Sequence, residues 1–403
     1  MYDVVVVGVG PPGARYARRA AEAGLDVLAL ERGEIGSPLA CSGHVSTDLW
    51  EYVPDEAVDR LLQNQIYGAD FHVGGPGSDA YRFYKREAVS NVIDRVELDR
   101  TLAACAREAG ADVRERHTVT DVEERSDRVV LTASVGGHGT DGNDGVDGTG
   151  GAAEADGAAG ADGAARADGA AGTDRYDDCA GDERTFEARI VAGCDGPTSR
   201  VRRAVGLPEP GETLHGVLAF DEEPDHGEYV DVHLTAPTFF AWRIPRGEAG
   251  VEYGLAAPPG EDVKARFDRL VDGYGVETER FCSGAIPIGP PARTTTDRVF
   301  LLGDAAAQTK PFTGGGILYG MTAADIAAET IDPADPSTLS AYERAWREEL
   351  GREIRLGSLI RRAYSLPEPV QRAGLWALSG EIGVHMDRPT SFFSREHLRR
   401  LFS

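Results

Sequence analysis

Four clusters of residues in this sequence have the types and spacing to do chemistry. Gly8-Val9-Gly10-Pro11-Pro12-Gly13 is followed by Glu31-Arg32. Glycines at that spacing turn a chain tightly and let its backbone approach a pyrophosphate, and an acid about 20 residues on can accept ribose hydroxyls. Gly303-Asp304 is followed, about ten residues on, by Gly314-Gly315-Gly316. A carboxylate before a glycine-opened helix N-terminus suits an extended cofactor with a polar chain and an electron-accepting ring. Cys41-Ser42-Gly43-His44 offers a thiol and an imidazole that could exchange protons beside such a ring. Phe240, Trp242 and Ile244 alternate onto one strand face and could wall a long apolar pocket. Three of the clusters have an inert alternative: a plain turn at Gly-Asp, a small buried hydrophobe at Cys41, a packing face at Phe240–Ile244.

The elements that must position these groups are legible around them. Asp3 to Val7 is a β-branched run, as in a strand buried on both faces. Helical spacing follows from Ala14 to Ala23, and a second strand, Asp26 to Leu30, delivers Glu31. Pro12 has no N–H, which removes one backbone donor to a pyrophosphate. Far along the chain, Val299 to Leu302 is a buried strand and Ile317 to Ile331 has helical apolar spacing. Arg95 leads into an amphipathic helix within Val92 to Ala109. Val113 to Val122 and Val129 to Ala133 alternate as strands, and Thr185 to Ala192 resumes the pattern. Between them, residues 136–183 are nearly all Gly, Ala, Asp and Thr, too poor in apolar side chains to offset ordering entropy, and are expected to be disordered.

The fold class expected is α/β: a Rossmann-like dinucleotide-binding unit, an antiparallel-sheet substrate unit and a helical C-terminal region. The first unit is discontinuous, drawn from residues 1–75, 90–135, 184–206 and 290–331. The second takes 76–89 and 207–289, and the helical region 332–403.

A net charge of −25 argues against nucleic acid as a partner. Lysine occurs only at Lys85, Lys264 and Lys310; acid-rich, lysine-poor composition resembles that of proteins from salt-loving archaea. Five cysteines without a CxxC pair indicate neither zinc nor a disulfide framework, so no metal is expected. With no signal peptide and no apolar run of about 18 residues, a cytoplasmic location is expected. After Gly351, nine arginines against five acids, interspersed with apolar residues, could meet the anionic inner face of the cell membrane or cap the acidic core.

Gly8 to Gly13 with Glu31-Arg32, Cys194-Asp195-Gly196 and Gly303-Asp304 through Gly316 together resemble the para-hydroxybenzoate hydroxylase superfamily of flavoproteins. Three features resemble its geranylgeranyl reductases: the Cys41-Ser42-Gly43 loop, Lys310-Pro311-Phe312-Thr313-Gly314-Gly315-Gly316, and Pro237-x-x-Phe240-x-Trp242-x-Ile244-Pro245. The last departs from PxxYxWxFP by Phe for Tyr and Ile for Phe, which keeps the apolar wall and removes a hydroxyl. The resemblance implies FAD, contacted by residues matching Ala14, Glu31, Cys41, Ser42, Arg95, Val119, Asp304, Gly316 and Ile317. Gly8, Gly10, Gly13, Arg32, Gly43, Asp195 and Gly315 complete the expected cofactor set.

The reaction implied is saturation of isolated C=C bonds in a geranylgeranyl chain. Cys41 or His44 would give the proton and Trp242, with Phe240 and Ile244, would line the substrate pocket. An external donor (NADPH, NADH or ferredoxin, the last of which is a donor protein) must recharge the flavin. Two rivals stand beside it: an FAD-dependent aromatic monooxygenase or halogenase, and a non-catalytic dinucleotide-binding module.

Overall fold

The computed structural model describes residues 1–37, 41–136 and 182–381. Apart from its edges, the expected insertion at 136–183 lies outside these residues, as does the tail beyond 381.

The buried β-branched run forms the strand Tyr2–Val7, the centre of a seven-stranded sheet. It runs parallel to Val27–Leu30 on one side and to Asp182–Gly193 on the other. Val299–Leu301 also joins Asp182–Gly193 in parallel, which carries the late motif into the same sheet. His117–Glu124 and Val129–Val135 continue it antiparallel. Val135 pairs directly with Asp182, so the chain leaves and re-enters the ladder across a single rung.

The helices Pro11–Glu22, Arg95–Glu108 and Ile317–Thr330 pack together over this sheet. Pro12 explains how closely the first and last of them approach. A Cβ at Gly303 would lie 2.6 Å from the Pro12 ring carbon Cγ, and one at Gly320 would lie 2.5 Å from the same atom. The proline ring therefore fills a slot that two glycines leave open. Arg15 clamps the same helix pair through Asp325, with Nε–Oδ1 at 2.7 Å.

The second unit is an eight-stranded, mostly antiparallel sheet running from Glu279–Ile288 at one edge to Gly380–Glu381 at the other. Helix Val263–Tyr274 covers one face with Phe267 and Leu270. The opposite face carries Phe239, Phe240 and Ile244. Gly68–His72, expected in the first unit, belongs to this sheet, because it pairs in parallel with Tyr229–His233. The boundary expected at 75/76 thus falls earlier in the chain.

A three-stranded sheet, His44–Ser46, Ser90–Ile93 and Leu62–Ile66, sits where the two units meet. Val92 packs into the aromatic cluster of the second unit while its neighbour Ile93 packs into the core of the first. Alternation along one strand stitches the units together. Helix Leu339–Arg361 then buries Tyr342, Trp346 and Leu350 against the first core.

Gly320→Ala should destabilise the protein by about 1–3 kcal/mol by overpacking against Pro12, although alanine is the better helix former by about 1 kcal/mol. Denaturant unfolding measures this, and Pro12→Ala in the same chain should recover much of the loss. A stabilised Gly320→Ala protein would contradict the wedge.

Candidate active site

The glycines of the first turn are present for different reasons. Gly8 has φ +95°, and a Cβ there would lie 2.4 Å from the Cys194 carbonyl oxygen. A Cβ at Gly13 would lie 2.1 Å from the Gly8 carbonyl oxygen. At Gly10 a Cβ would meet nothing within 4 Å. The protein itself thus requires Gly8 and Gly13, whereas Gly10 fronts space that the fold does not fill.

Glu31 ends the second strand half-buried, accepting from the Val9 N–H at 2.8 Å and from the Gly33 N–H at 3.3 Å. These bonds aim its carboxylate at the turn and leave lone pairs for ligand hydroxyls. Arg32 beside it is exposed. The side chains of Ala14 and Val119 are buried in the two cores, so their backbones are what they could offer a ligand. Asp195 is engaged within the protein: it accepts from Ser199 Oγ at 2.6 Å, Arg200 N at 2.7 Å and Val201 N at 3.0 Å. Its carboxylate opens the short helix Arg200–Ala204, and what lies against Gly8 is its backbone.

The late motif is pinned from behind. Gln308 accepts from Gly303 N at 2.7 Å and donates to the Tyr342 hydroxyl at 3.1 Å, which in turn donates to the Leu301 carbonyl at 2.9 Å. Asp304 then points at the mouth of helix Ile317–Thr330; a Cβ at Gly316 would lie 2.6 Å from its Oδ1. Lys310 N donates to the Gly315 carbonyl at 3.0 Å, closing the turn that precedes the helix. Burial pushes the Asp304 carboxyl up to about 6, with the Arg95 charge pulling it down.

Arg95 is buried and its Nη2 forks onto Asp99 at 2.7 and 2.9 Å. Its guanidinium also reaches the Cys41 thiol. Its Nε is buried with no partner. Gly43, at φ +68°, lets the Cys41 loop press onto this helix start, since a Cβ there would lie 2.4 Å from the Ile93 carbonyl oxygen. His44 pairs across strands with Val92, so it shares the face that feeds the aromatic cluster, and its Nε2 meets Ser90 Oγ at 2.6 Å.

Phe240, Trp242 and Ile244 do share a face of the second sheet. Phe239 stacks on Phe240 with ring centroids 4.4 Å apart. The Trp242 indole lies flat over Gly254, where a Cβ would fall 2.2 Å from its Cε2. Three further residues of this region were not expected from the sequence. Arg246 continues the alternation beyond Ile244, and Glu252 faces Ile244 across the ladder, fully buried. Trp242 Nε1 donates to Glu252 Oε1 at 2.8 Å, and Arg246 Nη1 donates to Glu252 Oε2 at 3.0 Å and to the Ser42 carbonyl at 2.7 Å. Tyr364 packs edge-on against Phe240 and donates to the Phe312 carbonyl at 2.9 Å. Alternation and an acid inside an otherwise apolar strand, Val251–Ala257, were available signals for the first two. Tyr364 had none.

The open space at Gly10, the partnerless buried Nε of Arg95 and the desolvated Asp304 carboxyl fit a bound dinucleotide that runs from Glu31 to the late helix. Among the described residues no group of three metal-ligating side chains forms a metal site.

In the cofactor-free protein, the raised Asp304 pKa makes stability fall as pH rises. From the ordinary carboxylate range to about pH 6 the folded chain holds a proton that the unfolded chain has released, so the penalty is complete above that window. Asp304→Asn should therefore stabilise the cofactor-free protein near neutral pH by about 1–3 kcal/mol, with the gain vanishing near pH 4. It should also weaken cofactor retention. Denaturant melts at the two pH values decide this, and a variant less stable than wild type at neutral pH contradicts it.

No protein-family model matches the chain. Its sequence is 31% identical over 379 residues to the digeranylgeranylglycerophospholipid reductase of Methanothrix thermoacetophila, covering 87% of this chain and 84% of that protein. The fold matches a geranylgeranyl bacteriochlorophyll reductase-like protein from Thermoplasma acidophilum with a TM-score of 0.75 at 22% identity, over 100% of this chain and 95% of that one. It also matches p-nitrophenol 4-monooxygenase from Pseudomonas putida, with a TM-score of 0.65 at 18% identity over 94% and 93% of the two chains. The extent and level of the sequence match place the chain in the digeranylgeranylglycerophospholipid reductase family.

Proposed function

We propose that this protein is an FAD-dependent reductase that saturates isolated C=C bonds in the geranylgeranyl chains of membrane lipids. The observation that carries the reading is the meeting of two walls: the aromatic strand of the second unit reaches the Cys41 loop of the first through Arg246 and the Ser42 carbonyl. The monooxygenase reading shares the fold, but the sequence relationship is to reductases.

Reduced FAD, when bound, supplies the hydride. Glu31 and the Gly8–Gly13 turn would hold its adenosine and pyrophosphate, Asp304 its polyol, and the N-terminus of the late helix the negative charge of its reduced ring. An isolated alkene is a poor hydride acceptor, so positive charge must develop on carbon as a proton arrives. Phe240 and Trp242 present ring faces that stabilise such charge and exclude water. Cys41 Sγ or His44 is the proton donor, and solvent reprotonates it after each turnover. One hydride and one proton enter each C=C bond, and an external nicotinamide or ferredoxin restores the two electrons.

A lipid substrate brings the protein to the inner face of the membrane. No helix of the described residues is long and apolar enough to cross it. Helix Glu368–Leu378 exposes Val370, Trp376 and Leu378, and Arg355 and Arg362 in the preceding helical segments are exposed as well, a combination that suits an anionic bilayer. Flotation with anionic vesicles should be lost with Trp376→Ser, and a wild-type protein that never floats refutes this contact.

Trp242 separates pocket from core. Truncating a buried core Trp costs about 3–5 kcal/mol. As pocket lining, Trp242→Ala should instead keep flavin and most stability while lipid reduction falls steeply, and Trp242→Phe should retain part of the activity. Flavin spectra, thermal melts and mass spectrometry of a geranylgeranyl lipid after incubation with the reduced protein measure all three. Undiminished turnover by a stable Trp242→Ala protein refutes the assignment.

A further inference from the structure

The pair Arg246–Glu252 is an unusual investment of charge. Both residues are buried, Glu252 completely, and burial raises its carboxyl above the ordinary range against the pull of Arg246. Replacing such a pair with apolar side chains often costs a fold nothing, so stability alone does not account for it. Its bonds point in two directions. One carboxylate oxygen holds the Trp242 indole N–H at 2.8 Å, and the other holds Arg246 at 3.0 Å. Arg246 reaches out of its own sheet to the Ser42 carbonyl, 204 residues away in sequence, at 2.7 Å. Ser42 Oγ in turn accepts from His44 N at 3.2 Å. The Arg95 charge lies close to the Cys41 thiol.

We infer that Arg246 and Glu252 are positioning residues that set the Trp242 ring and the Cys41-Ser42-Gly43 loop together, so that the aromatic wall and the proton-donor loop hold one relative geometry. Neither touches the reacting atoms. Glu252 fixes the indole through its N–H, and Arg246 converts the same carboxylate into a tether on the Ser42–Gly43 peptide, next to Cys41. A carboxylate is needed because a single group must accept from a guanidinium and an indole at once. A cationic donor is needed because one nitrogen, Arg246 Nη1, donates to the Glu252 carboxylate and to the Ser42 carbonyl at once. The inference rests on Cys41 and Trp242 facing one pocket.

The test is the rate at which iodoacetamide alkylates Cys41 in the FAD-loaded protein, followed by peptide mass spectrometry with Cys282 as internal reference. Arg246→Met and Glu252→Gln should each raise Cys41 alkylation about fivefold or more, the factor set by losing one interaction of ordinary hydrogen-bond strength. Arg246→Lys, which can still donate to the Ser42 carbonyl, should stay close to wild type. Trp242→Phe, which removes the indole donor without touching the loop, should also raise the rate. Cys282 should be unaffected, and flavin content should be retained. Wild-type Cys41 rates in stable Arg246→Met and Glu252→Gln proteins overturn the inference. So does acceleration confined to Arg246→Met, which would leave Arg246 acting without Glu252. Loss of soluble holoprotein in both variants overturns it as well, because the pair would then be holding the fold. Alkylation reads loop position whether or not the protein reduces a lipid, so failure of the functional reading is separable.

Discussion

The Pro12 ring, seated between Gly303 and Gly320, brings together two motifs that lie at opposite ends of the chain. The first helix begins at Pro11, and its proline ring can enter the late turn only because neither glycine carries a Cβ. That contact sets where Asp304 stands relative to Gly10, and therefore the length of ligand that can run between them. The lost N–H of Pro12, which reads in the sequence as a missing donor, is exchanged for this packing. Arg15–Asp325 and the Gln308–Tyr342–Leu301 bonds hold the same junction from its flanks.

Around that junction the chain buries charge that an ordinary core avoids. Asp304 is desolvated with the Arg95 charge as its counterweight, Arg95 itself is shared with Asp99 and Cys41, and Glu252 sits wholly inside the second sheet. Buried carboxylates destabilise a fold unless something meets them. In Glu252 the partners are internal and the result is geometry. In Asp304 the internal partners are insufficient, and the remainder of the interaction is left to a ligand. The two acids thus serve different ends with the same physics.

The sequence made the first cradle legible because its requirements are local: Gly8 needs its positive φ, Gly13 its close approach, and Glu31 its place at a strand end. The late motif and the shared face of Phe240, Trp242 and Ile244 were legible for the same reason, one from a Gly-rich turn and one from simple alternation. What escaped were relations between distant segments. Gly68–His72 joins the second sheet through parallel pairing with Tyr229–His233, and nothing near residue 70 announces it. Asp195 is a local case instead: it has the type and motif of a ligand contact, yet its carboxylate accepts from the N–H groups of the short helix that follows it. Arg246 and Glu252 acquire their meaning only once two strands pair and the Cys41 loop folds against them.

The central claim is that reduced flavin in this protein gives its electrons to an isolated alkene. The direct measurement is anaerobic mixing of the dithionite-reduced, desalted protein with a geranylgeranyl lipid while flavin absorbance is followed. The account predicts that oxidised-flavin absorbance returns without oxygen, in proportion to the hydrogen pairs that the lipid gains by mass spectrometry. A flavin that stays reduced in the presence of the lipid, and reoxidises only when oxygen and an aromatic substrate are admitted, would contradict it.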